Sequence, residues 1–106
     1  MPKKKSQAAA SFTRIIDERY AIPKRKGGGS VKIEAWADTA GNIVKYNIAY
    51  INHALFMGDN GRVIGYDNAH DYHHRHHFGD IFPVEDFTTY EEIVERFERD
   101  IAEYLT

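Results

Sequence analysis

A chain of 106 residues and 12.2 kDa has room for one hydrophobic core of ordinary size. Hydrophobic residues make up 42% and charged residues 28%, too much apolar material for a disordered chain. There is no cysteine, which excludes disulfide stapling, thiolate zinc sites and a cysteine nucleophile. No apolar run approaches bilayer-spanning length, and Met1 to Ala10 has no apolar stretch of the secretory kind, so the expectation is a single cytoplasmic domain with no membrane partner.

The net charge of −2 conceals an asymmetry: residues 1–32 carry nine Lys/Arg against two acids, whereas residues 33–106 carry five against fourteen. Lys3, Lys4 and Lys5 on a flexible tail (residues 1–11), with Lys24, Arg25 and Lys26, are the candidate nucleic-acid-binding cluster. The acidic stretch 80–106 would repel phosphates and suits a basic protein partner.

In chain order, residues 12–20 place Phe12, Ile15, Ile16 and Tyr20 at helical spacing, but Pro23 stops a short run, leaving helix or edge strand open. Lys24 to Ser30, with three successive glycines, reads as a flexible connector. Val31, Ile33, Ala35 and Ala37 alternate with Lys32, Glu34, Trp36 and Asp38; after Thr39 to Asn42, Val44, Tyr46, Ile48 and Tyr50 alternate in turn, which makes a hairpin. The second strand is expected to run on through Ala54–Met57 to the Asn60-Gly61 turn, and Arg62–Tyr66 to return as a third strand. Ile81–Val84 reads as a fourth, edge strand compatible with Pro83. Thr88, with Glu91 at capping-box spacing, opens a C-terminal amphipathic helix through Tyr90, Ile93, Val94, Phe97, Ile101 and Tyr104. The fold expected for residues 12–106 is α+β: a three- to four-stranded antiparallel meander with this helix on one face. Its strand edges would be covered by residues 12–22 or by a second copy, as a homodimer.

The chemistry concentrates in Tyr66-Asp67-Asn68-Ala69-His70-Asp71-Tyr72-His73-His74-Arg75-His76-His77, which holds all the histidines except His53. His53, alone in the second strand, reads as structural. Three uses of the cluster compete. A metal site has imidazoles and Asp67 or Asp71 to offer, but in an extended run Arg75 stands between His73 and His77, a poor neighbour for a dication. Acid–base cleavage of RNA needs a base for the 2′-hydroxyl, an acid for the 5′-oxygen and a cation over the non-bridging oxygens. Histidines, Arg75 and an orienting Asp67 or Asp71 supply all of these without a cofactor. In the third use, the segment only makes contacts in a non-catalytic binding protein. Extended geometry puts His73, Arg75 and His77 on one face and His74 and His76 on the other, with one face for chemistry. Tyr66 reads equally as a core residue or a phosphate-contacting phenol. The candidate catalytic set is His73, Arg75, His76, His77, His74, His70, Tyr66 and Asp67, with no assigned metal ligand.

The Tyr66-Asp67-Asn68-Ala69-His70 string, the His73–His77 run, the short apolar strand and the C-terminal helix resemble the TumE family of small prokaryotic toxin–antitoxin proteins, over roughly residues 31–104. Asp71 stands where glycine is expected in the family. The resemblance implies a toxin neutralised by a cognate antitoxin, often a helix-turn-helix protein. Ribonuclease activity is the expectation that the residues themselves add. The acidic C-terminal stretch, Glu91, Glu92 and Glu95 included, would be the docking surface for a basic antitoxin.

Overall fold

The computed structural model describes residues 11–106, so the tail with Lys3, Lys4 and Lys5 lies outside the described residues. Six strands form one antiparallel sheet in chain order: β1 (Thr13–Ala21), β2 (Ser30–Ala37), β3 (Ile43–Ile51), β4 (Arg62–Asp67), β5 (His74–His77) and β6 (Asp80–Pro83). Among the described residues a single α-helix follows, α1 (Tyr90–Ala102). The α+β class and the lone C-terminal helix agree with the sequence reading, and the strand count corrects it from three or four to six. Residues 12–20 supply one extra strand, since Pro23 blocks a helix and Thr13–Ala21 pairs along β2. The histidine run itself supplies another. Four residues without apolar alternation gave no strand signal, yet His74–His77 pairs with β4 on one side and β6 on the other.

β3 does not continue through Ala54–Met57. Asn52 ends it: its side-chain oxygen accepts from Ala54 N at 3.0 Å, and its carbonyl accepts from Leu55 N and Phe56 N. The chain turns there and closes again where Asn52 N donates to Gly61 O at 2.8 Å. His53 follows β3 instead of lying within it, and its exposed ring stands against Gly61. The Gly27–Gly29 connector is also fixed. Tyr50 Oη donates to Gly28 O at 2.9 Å and Asn52 Nδ2 to Gly27 O at 3.1 Å. A Cβ on Gly29, at φ +84°, would stand 2.5 Å from Ile51 O, so glycine is demanded by close approach as well as by conformation.

Helix α1 is capped by Thr89, one residue later than the sequence suggested, the Thr89 hydroxyl accepting from Glu92 N at 3.1 Å. Ile93, Phe97 and Ile101 are buried on one stripe against Tyr46, Ile48, Tyr50, Ile64 and Tyr66. Burial of each such side chain contributes about 1.5–3 kcal/mol. The helix lies across β3 and β4, so the sheet has a helix-covered face and an open face. Among the described residues no helix is long and apolar enough to cross a membrane.

Candidate functional site

The strand-ladder register decides what the histidine segment can do. Tyr66 pairs with Arg75 and Ile64 with His77 on the helix-covered face, while Asp67 pairs with His74 and Gly65 with His76 on the open face. The alternation expected for an extended run holds, and the two sets of side chains have different surroundings.

On the covered face each group already has a protein partner. His73 Nδ1 is 2.8 Å from Tyr46 Oη, and the imidazole stacks on Phe87 with ring centroids 3.5 Å apart. Burial, and then the charge of His74, holds His73 below the ordinary imidazole range. Arg75 Nε donates to Asp100 Oδ2 at 3.1 Å, and Tyr66 Oη donates to the same oxygen. Burial and that carboxylate push the Tyr66 phenol up to about 12. His77 Nε2 lies 3.4 Å from Tyr104 Oη. These four residues fasten α1 and the segments on either side of it to the sheet.

On the open face Asp67 gathers two histidines. Its Oδ2 accepts from His76 Nε2 at 3.0 Å, and its Oδ1, which accepts from Ala69 N at 3.0 Å, lies 2.9 Å from His74 Nε2 in an ion-pair contact. His74 and His76 are only 4% and 6% exposed, with Tyr72 stacked on the His74 ring at 4.5 Å. The other nitrogen of His74 faces the Tyr72 carbonyl at 3.1 Å, so both of its ring nitrogens look at acceptors. In His76, donation from Nε2 to Asp67 leaves the lone pair of the neutral ring on Nδ1. Burial, then the Arg62 charge, holds His76 below the ordinary imidazole range against the opposing pull of Asp67. The ligand atoms of Asp67, His74 and His76 lie within 4.8 Å of one another, a donor set that also suits a divalent ion, with the Tyr72 carbonyl orienting the His74 ring.

Cations and a groove surround the cluster. Arg62 lies across Gly65, with Nη1 3.8 Å from Asp67 Oδ2 and a two-point grip on Asp59 at 2.8 and 3.0 Å. A depression of about 360 Å³ reaches Asp67 from the side of Glu34, Trp36, Lys45 and Asn47, where the Lys45 ammonium sits 4.7 Å from the centre of the Trp36 ring. A smaller one, of about 180 Å³, joins Lys32, Asn47 and Arg62.

The structure therefore brings together Asp67, His74 and His76 from the candidate set and puts His73, Arg75, His77 and Tyr66 on the other side of the sheet. His70 belongs to neither group, being exposed in the turn Ala69–Asp71 at φ +61°. Lys24, Arg25 and Lys26 form an exposed turn beyond the Ser30–Ile51 end of the ladder, away from Asp67, which pairs with Asn47. Arg62 was missed because simple alternation assigns it to the face of Ile64 and Tyr66. The register shift between Tyr50 and Ile51 turns it to the open face instead. Lys32, Trp36 and Lys45 were within reach of the sequence, since they are the polar partners in the first hairpin's alternation.

The Tyr66-Asp67-Asn68 string receives a physical account: Tyr66 fastens the helix through Asp100, Asp67 holds the two histidines, and Asn68 clamps β3 by accepting from Tyr46 N at 3.1 Å and donating to Val44 O at 2.9 Å. Comparison with curated proteins and with solved structures gives no match. A family model described as Toxin TumE matches residues 8–105, nearly the whole chain. The chain belongs to the TumE toxin family.

Proposed function

We propose that this toxin is a ribonuclease that works without a metal cofactor, on the open face of its sheet. The observation that carries the reading is the Asp67 carboxylate shared by His74 and His76 on the face that α1 leaves uncovered, beside the Arg62 guanidinium. His76, with its lone pair on Nδ1 and its affinity for protons lowered, is the base that takes the 2′-hydroxyl proton. The 2′-oxygen then bonds to phosphorus as the bond to the 5′-oxygen breaks, and His74 returns a proton to the departing oxygen. Arg62 neutralises the charge that grows on the non-bridging oxygens. Asp67 fixes both rings, as the carboxylate does in other acid–base pairs. Trp36 and Lys45 suit an unpaired base and its phosphate along the adjoining depression. On this reading the toxin acts in the cytoplasm, where its RNA is, and a helix-turn-helix antitoxin restrains it.

The test is cleavage of total RNA by the purified protein in excess EDTA across pH 5–9, with His76→Ala and His73→Ala beside the unchanged chain. Cleavage that survives EDTA, leaves 2′,3′-cyclic phosphate ends and is lost in His76→Ala but kept in His73→Ala is expected. No cleavage under any condition overturns the reading. Cleavage abolished by EDTA, with one equivalent of metal retained by the purified protein, replaces it with an ion held by Asp67, His74 and His76.

A further inference from the structure

Helix α1 leaves one side of its sheet face bare. It lies over β3 and β4, the core beneath it takes in Val31 and Ala35 of β2, and the same face of β1 is left without a covering element among the described residues. β1 contains no buried residue, and Tyr20 is 51% exposed. Between that bare strand and the flank of α1 runs a groove of about 420 Å³. Its floor and inner wall are apolar, built from Ile16 and Ile33 on the strands and Tyr90 and Val94 on the helix. Its rim is acidic: Glu18 on the strand side, Glu91 and Glu95 one turn apart on the helix. Glu91 and Glu95 have no ion-pair partner among the described residues, whereas Glu92 is held by Arg96 at 2.7 Å and takes no part. Burial, together with the charges of Glu18 and Glu91, raises the Tyr90 phenol, consistent with a negative potential in the groove.

We propose that this groove is the docking site for a basic amphipathic helix of the antitoxin. The inference rests on membership of the toxin family and is independent of the ribonuclease reading. Packed helices stand about 8–10 Å apart, so one further helix laid beside α1 covers the bare face of β1 and completes the layer. Apolar residues on one stripe of that helix meet Ile16, Ile33 and Val94, and its lysines or arginines meet Glu18, Glu91 and Glu95. A second copy of this chain is the poorer occupant, because a two-fold contact through this groove would set the acidic rims against each other.

The experiment measures the affinity of the full-length toxin for its purified cognate antitoxin by calorimetry at low and high salt. The variants are Glu91→Lys/Glu95→Lys, Ile33→Asp and, as a control away from the groove, the exposed His70→Ala. The expected result is a loss of tenfold or more in the double variant, with its salt dependence reduced, and no change in His70→Ala. The double variant alters two exposed side chains and is checked for an unchanged unfolding midpoint, so the test stands even where Ile33→Asp fails to fold. Affinity within twofold of the unchanged chain in the folded double variant overturns the proposal. A toxin dimer that the double variant dissociates, with antitoxin affinity unchanged, overturns it in favour of a second copy. RNA cleavage, or its absence, in the free protein bears only on the ribonuclease reading.

Discussion

Asp67 stands directly opposite His74 across the β4–β5 ladder, and its second oxygen reaches past that pair to His76. One carboxylate thus contacts two imidazoles that share a strand face two residues apart, one directly across the ladder and one on the diagonal.

Asp67→Asn keeps the shape and removes the charge and one of the two acceptors. One imidazole N–H is then left buried without its partner, at a cost of about 1–3 kcal/mol. Urea unfolding should show a stability loss of that size. Cleavage should fall by about 100-fold or more, the range attributed to a positioned acid–base group. A folded variant cleaving at the unchanged rate would remove Asp67 and its histidines from the chemistry.

His73 and His76 are both held below the ordinary imidazole range, chiefly by burial. In the window between their folded-state values and the ordinary value, the unfolded chain binds more protons than the folded one, so stability rises with pH through that window and falls on acidification. The midpoint of thermal unfolding should be higher at pH 7.5 than at pH 5.5, and His73→Gln should flatten part of that difference. Parallel curves for the variant and the unchanged chain would show that His73 contributes no part of it.

Asp100→Asn tests the covered face. Asp100 accepts from both Tyr66 and Arg75, so the variant weakens the fastening of α1 to the sheet by about 1 kcal/mol, reduced from the buried value because Arg75 and Asp100 are each about a quarter exposed. The cleavage rate per folded molecule should not change. A fall in rate without a fall in stability would bring Arg75 back as the phosphate-holding cation.

Much of this protein is legible in its sequence. The period-two alternation of Val31–Ala37 and Val44–Tyr50 fixes the first hairpin, and the recurrence of Ile93, Phe97 and Ile101 fixes a helix with one apolar stripe. The same period sorts His73, Arg75 and His77 from His74 and His76. Where local side chains overrule periodicity, as when Asn52 turns the chain away from the expected Ala54–Met57 strand, the pattern misleads.

The tertiary structure decided the rest, because parity separates two faces without saying which of them meets the core. Docking of α1 over β3 and β4 makes that choice. It commits Arg75 and Tyr66 to Asp100 and leaves Asp67, His74 and His76 on the open side. The irregular pairing between Tyr50 and Ile51 then carries Arg62 across to join them, and no reading of alternate residues reveals that shift. The sequence determined which residues can act together. Helix placement and strand register, which depend on contacts between distant segments, determined which of those groups meet one another and on which face of the sheet.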